Sequence, residues 1–298
     1  MVPLWIPATL AAAAAQTARN AMQRRLTESL GTVGATQVRF LYGFPFALLF
    51  LPVVLAVSAE PPPGLTGAFL WFVAAGAVSQ ILATALMLAA MRERSFSLVT
   101  AYIKTEPVQV ALFGLAVLGD PLTVGAAAAI ALATAGVLLT SGKPDGGPSR
   151  LLALRPALLG IAAGAFFALA SIAFRGATLT LPSGSPLVRA TTTLVWGLGL
   201  QTVLLAAWLA LFDRAAMIGS LRRWRASLTA GFLGALASQF WFIGFALTSA
   251  ANVRTLALVE VPFAYGVSFV MFGQRASPRE LVGMALIVVG VALLLALQ

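Results

Sequence analysis

The sequence contains no cysteine and no histidine among its 298 residues. Disulfide bonds, thiol chemistry, zinc sites built on soft ligands and acid–base catalysis by histidine are therefore excluded. Only nine carboxylates are present, they are scattered along the chain, and no GxGxxG, P-loop or HExxH pattern occurs. The chain offers little chemistry for an enzyme, so we expect neither catalytic activity nor a cofactor or metal ion.

Charged residues are also scarce. They make up 9% of the chain, whereas soluble domains contain about a quarter. Hydrophobic residues make up 60%, and the mean hydropathy is +0.96. The net charge of +10 would suggest nucleic acid in a soluble protein, but here the basic residues lie in short gaps between apolar runs. We therefore expect no nucleic-acid partner and assign these charges to orientation in a membrane.

Apolar segments of about 20 residues recur from end to end, which is the length that crosses roughly 30 Å of hydrocarbon as a helix. The ten segments are residues 4–23, 33–57, 65–90, 96–118, 121–141, 152–175, 185–211, 226–249, 252–273 and 278–297. Short turns such as SAEPPPG, LGDP and LPSGSP separate them. The pattern predicts an all-α integral membrane protein with ten transmembrane helices, embedded in a lipid bilayer.

The basic residues predict how these spans are oriented. One set of connections contains Arg24, Arg25, Arg92, Arg94, Lys143, Arg150, Arg155, Arg214, Arg222, Arg223, Arg225, Arg275 and Arg279. The opposite side of the membrane has only Arg175, Arg189 and Arg254. The positive-inside rule places the first set in the cytoplasm. Both termini are therefore predicted to lie on the outer, periplasmic side of the cell inner membrane.

The two halves of the chain resemble each other at fixed spacing. The matched residues are Glu106 and Glu260, Gly119 and Gly273, and Gly136 and Gly290, each pair 154 residues apart. Arg39, which ends GATQVR, aligns with Arg189, which ends GSPLVR. Small residues recur in any tightly packed membrane helix, but matched ionisable residues favour a repeat. Residues 1–142 form the first repeat, 143–151 a cytoplasmic linker and 152–298 the second.

Five spans in each half force the halves into opposite orientations. The predicted fold is therefore two inverted five-helix repeats, a plan in which many secondary transporters bind substrate near the membrane midplane.

The motifs also resemble a known family. The first half closes with EP…LGDPLT…GVLL over residues 106–139, and the second with VEVPFAYGVSFVMFGQRASPRELVGMALIVVGVALL over 259–294. Together with TQVRFLYGFPFALLF, which contains Arg39, they resemble EamA-type members of the drug/metabolite transporter superfamily over nearly the whole chain. The resemblance implies export of amino acids, small metabolites or toxic compounds, or exchange of metabolites across organelle membranes. The chain departs from the family pattern at Asp120 and Gln274, where glutamate usually follows the glycine, so we interpret these two as turn-capping positions.

Polar side chains within the spans are the candidates for function. A central Lys or Asp costs roughly 2.5–3.5 kcal/mol on the insertion scale and therefore tends to face a cavity or a partner. The candidates for substrate binding or for lining a cavity are Lys104, Glu106, Gln109, Gln16, Asn20, Gln80, Gln239, Trp241, Glu260 and Tyr265. For the Gln and Asn residues, hydrogen bonding between helices is the alternative role.

The charged candidates leave alternatives open. Lys104 and Glu106 are two residues apart and would point about 200° away from each other on an α-helix, so a direct pair is not expected. Lys104 either contacts the substrate or forms a structural salt bridge. Glu106 and Glu260 either pair pseudo-symmetrically or bind a substrate amine or a proton. Leu258 stands at the position of the second half that corresponds to Lys104.

Two prolines are predicted hinges. Pro107 cannot donate a backbone hydrogen bond, which leaves a carbonyl near position 103 free to bind something. Pro262 lies one residue later in the second repeat, so both halves are expected to bend at similar depth.

The sequence thus predicts a secondary active transporter that moves a small organic metabolite or amino acid by alternating access, with export implied by the resemblance. A proton is a candidate coupling ion, and both a monomer and a homodimer stay open. A channel, which would tend to show rings of repeated polar residues, or a non-transporting scaffold is the alternative. A membrane-embedded enzyme is the least favoured one.

Overall fold

The computed structural model describes residues 3–93, 99, 102–140, 150–262 and 277–297. All regular secondary structure in these ranges is helical. The α-helices are α1 (Trp5–Leu41), α2 (Phe44–Ser58), α3 (Gly67–Glu93), α4 (Glu106–Leu118), α5 (Val124–Thr140), α6 (Arg150–Thr180), α7 (Pro186–Phe212), α8 (Arg214–Arg222), α9 (Trp224–Leu247), α10 (Ala250–Leu256) and α11 (Pro278–Ala296). A 3₁₀ turn, Ala257–Val259, follows α10.

Six segments of the described chain are long and apolar enough to cross a membrane. They are Thr36–Ser58, Gly67–Ala90, Arg155–Thr180, Pro186–Phe212, Ser227–Leu247 and Pro278–Ala296, and they agree with six predicted spans. The shorter apolar helices α4 and α5 correspond to two more. Much of the predicted ninth span, 252–273, lies outside the described residues, so the count of ten stays a prediction.

The first predicted turn is wrong. We expected spans 4–23 and 33–57 to be separate, but α1 continues through residues 24–32 and ends at Leu41. The stretch RRLTESL within it contains good helix formers and no proline. The interruption comes instead at residues 42–43, just before Pro45, whose ring would clash with the carbonyl four residues earlier in a continuous helix.

The described contacts divide the chain into two compact units, each containing residues from both halves. The first unit comprises Met1–Ala85 and Ala170–Ser249, and the second comprises Leu86–Leu169 and Ala250–Gln298. In the first unit, α1 packs along α9, and α2 packs on α7. In the second unit, α5 packs along α11, and α4 packs on α10.

Close glycine contacts join α5 and α11. A methyl group added at Gly136 would lie 2.6 Å from the carbonyl oxygen of Gly283, and one added at Gly290 would lie 2.8 Å from that of Ala129. Residue numbers fall along α5 as they rise along α11, so the two helices run antiparallel. A shift of 154 residues converts one contact into the other, because Gly136 corresponds to Gly290 and Ala129 to Gly283. The last helices of the two halves are therefore arranged as inverted repeats require.

An arginine caps α9 in the first unit. The guanidinium of Arg175 donates to the carbonyl oxygens of Phe245, at 2.7 Å, and Thr248. Carbonyls at a helix C-terminus have no donor within the helix, and a positive charge there is favourable.

We expect Arg175→Met to lower the free energy of unfolding by about 1–3 kcal/mol, because the two carbonyls lose their donor. Thermal unfolding of the purified protein measures this; Arg222→Met, at an exposed position, is the control. Equal melting temperatures for the two variants would contradict the prediction.

Candidate functional site

The fourth predicted span of each half is interrupted immediately before the glutamate that the two halves share, Glu106 in the first half and Glu260 in the second. In the first half, residues 102–103 are helical, residues 104–105 form a turn and α4 begins at Glu106. In the second half, α10 gives way to the 3₁₀ turn at 257–259, and the chain is α-helical again from Glu260. The two interruptions coincide when the halves are aligned at the shift of 154. The predicted spans 96–118 and 252–273 are therefore interrupted at matching positions.

The chemistry of Pro107 explains the first interruption. Pro107 lies in the first turn of α4 and is buried. It has no N–H, so it cannot donate to the carbonyl of Ile103 as the residue four positions later would in a continuous helix. The hydroxyl of Thr105 donates to the carbonyl of Tyr102 at 2.8 Å and closes the turn. Pro262 lies two residues after Glu260 in the described helical segment. The structure thus places both prolines just after a break, and their role as hinges stays a prediction.

Two ion pairs join the interrupted helices. The ammonium of Lys104 donates to the carboxylate of Glu260. Nε of Arg254 lies 3.1 Å from Oε1 of Glu106. Each pair combines a cation from one half of the chain with the glutamate of the other half. Lys104 and Glu106 therefore each have a partner in the opposite repeat.

The four charged side chains are mostly buried. Their exposed fractions are 15% for Lys104, 20% for Glu260, 13% for Arg254 and 11% for Glu106. Lys104 is attracted by Glu106 and repelled by Arg254, so the four charges form one electrostatic network of net charge zero. Removing one partner from a buried pair typically costs 3–5 kcal/mol, because the other charge is left uncompensated. A molecule that displaces one of these groups must therefore offer a replacement for it.

Sequence reasoning missed Arg254. We counted it only as a basic residue of the outer side, near the start of the predicted span 252–273, whereas the structure places it within α10 and pairs it with Glu106. The signal was present, because an ionisable residue inside an apolar stretch such as ANVRTLALVE is a functional candidate by default. We looked for a counterpart of Lys104 only at Leu258, although the cation of the second half lies one turn earlier.

Gly160 and Gly164 on α6 lie in close contact with residues 102–103, just before the interruption in the first half. A methyl group added at Gly160 would lie 2.7 Å from Cβ of Tyr102, and one added at Gly164 would lie 3.1 Å from the carbonyl oxygen of Ile103. Residues four apart share one face of a helix. This face of α6 therefore has no side chain where the segment approaches, and the carbonyl of Ile103 meets the helix backbone closely.

Gln109 lies beside this contact. Its amide nitrogen is 3.3 Å from the hydroxyl oxygen of Thr105, to which it donates. Its Oε1 is buried without a hydrogen-bond partner, and it would lie 3.5 Å from a methyl group at Gly164. Gln109 thus keeps an unused acceptor one turn beyond Glu106.

Gln16, Gln80, Gln239 and Trp241 lie in the first unit, where they form hydrogen bonds between helices. The bonds are Trp241 Nε1 to Gln16 Oε1 at 3.1 Å, Gln201 Nε2 to Gln80 Oε1 at 2.6 Å, and Gln239 Nε2 to Thr191 Oγ1 at 2.8 Å. Trp241 is 4% exposed and stacks on Phe245. These side chains therefore contribute to helix packing, and a role in lining a cavity stays a prediction. The side chain of Asn20 and all of Tyr265 lie outside the described residues.

Comparison with known families decides the identification. A family model described as the EamA-like transporter family matches residues 3–142 and 154–296. The chain belongs to this family. The two matches coincide closely with the two predicted repeats. This EamA-like transporter is therefore a multi-pass membrane protein of a transporter family.

The fold of this EamA-like transporter also occurs in a solved structure. A crystal structure of a protein 18% identical in sequence superimposes with a TM-score of 0.66, over 98% of this chain and 99% of that one. At this identity the likeness shows the fold alone. No curated protein matches the chain.

Proposed function

We propose that the chain is a secondary active transporter that exports a small organic metabolite or amino acid across the inner membrane by alternating access, with both termini outside. The supporting observation is the pair of helix interruptions bridged by two ion pairs between the repeats. Inverted-repeat transporters typically bind substrates at such discontinuous helices, where backbone groups and charges face the substrate.

The ion pairs provide a means of coupling substrate binding to movement. A charged group of the substrate can replace one partner of a pair without leaving a buried charge uncompensated. The turn at residues 104–105 and the 3₁₀ turn at 257–259 lack α-helical backbone and can absorb changes in dihedral angle. A ligand shifts the balance between two conformations only by its difference in affinity for them. Replacement of an ion-pair partner in one conformation supplies such a difference.

Counterflow in proteoliposomes tests the proposal. A thermal-shift screen of the purified protein against amino acids and small metabolites first identifies ligands. We then expect uptake of a labelled ligand to saturate and to be accelerated by unlabelled ligand inside the vesicles, since a carrier exchanges one molecule for another. Empty liposomes are the control. Non-saturating flux without counterflow would indicate a channel, and no flux for any ligand would contradict transport.

A proton is the coupling ion that we propose for this carrier, with Glu106 or Glu260 as its site. An imposed pH gradient is then expected to drive accumulation of the ligand. A rate that is the same with and without the gradient would remove both glutamates as proton carriers and leave the transport proposal intact.

A further inference from the structure

The two ion pairs carry the same charges, but their cations lie on different kinds of backbone: Lys104 in a turn and Arg254 in an α-helix. We infer that they have different tasks: the Arg254–Glu106 pair stays closed as a fixed joint, whereas the Lys104–Glu260 pair opens during the transport cycle. The opening step rests on the proposed transport function. The difference in strength between the pairs does not, because it is a property of the resting protein.

The fixed joint connects two packed helices. Glu106 is the first residue of α4, where the positive end of the helix dipole stabilises its carboxylate. The same helix buries Pro107, Val110, Ala111 and Gly114. Arg254 lies inside α10, between two residues that are fully buried, Val253 and Thr255. Because α4 packs on α10, the contact between the two helices keeps the backbones of this pair close together.

The cation of the second pair lies outside the α-helices. Lys104 lies in the turn before α4, and Glu260 directly follows the 3₁₀ turn. A small change in the backbone dihedral angles of these turns can separate Lys104 from Glu260 while α4 and α10 stay packed.

The two cations differ in the same sense. Arginine presents a planar, weakly hydrated guanidinium that suits buried pairs, whereas lysine has a compact point charge on a flexible stem. Arginine thus occurs in the pair whose cation lies in a packed helix, and lysine in the pair whose cation lies in a turn. A ligand that opens the second pair must supply an anionic acceptor for Lys104 and a positively polarised donor for Glu260.

Double-mutant cycles on unfolding test the difference in strength. The neutral replacements are Arg254→Met and Glu106→Gln for one cycle, and Lys104→Met and Glu260→Gln for the other. We expect the Arg254–Glu106 cycle to show a coupling of at least about tenfold in the unfolding constant, and the Lys104–Glu260 cycle less than about threefold. Equal couplings, or the reverse order, would overturn the inference, whatever the flux measurements show.

Charge-conserving variants cover the case in which a neutral variant does not fold. Lys104→Arg keeps the pair but makes it harder to open, so we expect flux to fall about tenfold while the melting temperature does not fall. Arg254→Lys is expected to lower the melting temperature. Undiminished flux in Lys104→Arg, measured beside an active parent protein, would rule out the opening step. If the parent protein itself shows no flux, the proposed function is contradicted. The double-mutant cycles on unfolding then still test whether the two ion pairs differ in strength.

Discussion

Replacing Lys104 with methionine is expected to lower transport more than about 100-fold while the protein still folds. The variant removes the ammonium that pairs with Glu260 in the resting protein and that, in the proposed opening step, binds an anionic group of the substrate. Truncating one partner of a buried, hydrogen-bonded charge pair costs about 2–5 kcal/mol, and a loss of about 3 kcal/mol from the substrate-bound transition state corresponds to two orders of magnitude in rate. Initial flux in proteoliposomes, normalised to folded protein by size-exclusion chromatography, measures the effect.

A double variant separates a contact with substrate from a structural role. Lys104→Met combined with Glu260→Gln leaves no unpaired charge at this position, and we expect flux to stay low although no buried charge is left uncompensated. Recovery of flux in the double variant would show that Lys104 serves only the salt bridge. Arg222→Met, which removes an exposed cation, is the matched control and should transport at the parent rate.

Replacing Gly136 with valine is expected to abolish folded protein. A methyl group at this position would lie 2.6 Å from the carbonyl oxygen of Gly283 and 2.8 Å from the backbone nitrogen of Ile287. Overpacking in a core typically costs 1–3 kcal/mol when side chains can shift, but here backbone atoms of α11 stand in the way. The two helices would have to move apart along their whole contact.

Fluorescence-detected size-exclusion chromatography measures this loss as the fraction of monodisperse protein. Gly67→Val is the matched control, because a methyl group at this helical glycine of α3 would meet nothing within 4 Å. We expect Gly136→Ala to lie between the two, with a lowered melting temperature. A Gly136→Val protein as stable as Gly67→Val would show that α5 and α11 are not held together at this glycine.

The spans and the repeat could be predicted because both can be recognised in the sequence without knowing which helices pack together. Apolar runs of membrane-crossing length locate six of the described spans, and Glu106 with Glu260 marks the repeat at fixed spacing. The partners of these glutamates could not be predicted. Which cation reaches which carboxylate depends on how α4 packs on α10, and that register is a property of the tertiary contact. Arg254 lies six residues before Glu260, whereas Lys104 lies two before Glu106, so the spacing rule that found the repeat fails for its cations.

The course of α1 could not be predicted for a different reason. Arg24 and Arg25 were interpreted as marking a loop, because basic residues usually flank membrane spans. Backbone propensity favours helix there, and the next strong helix breaker is Pro45. Charge indicates which side of a membrane a segment occupies, but it does not by itself end a helix.

The division of the chain into units has a consequence for biosynthesis. Residues Met1–Ala85 find their packing partners in Ala170–Ser249, and Leu86–Leu169 in Ala250–Gln298. Neither unit can therefore be completed while the first half alone has left the ribosome. The helices of the first half must therefore stay in the bilayer without their packing partners until the second half has been synthesised. Truncation after the first repeat should accordingly yield a chain that inserts but is recognised by membrane quality-control proteases.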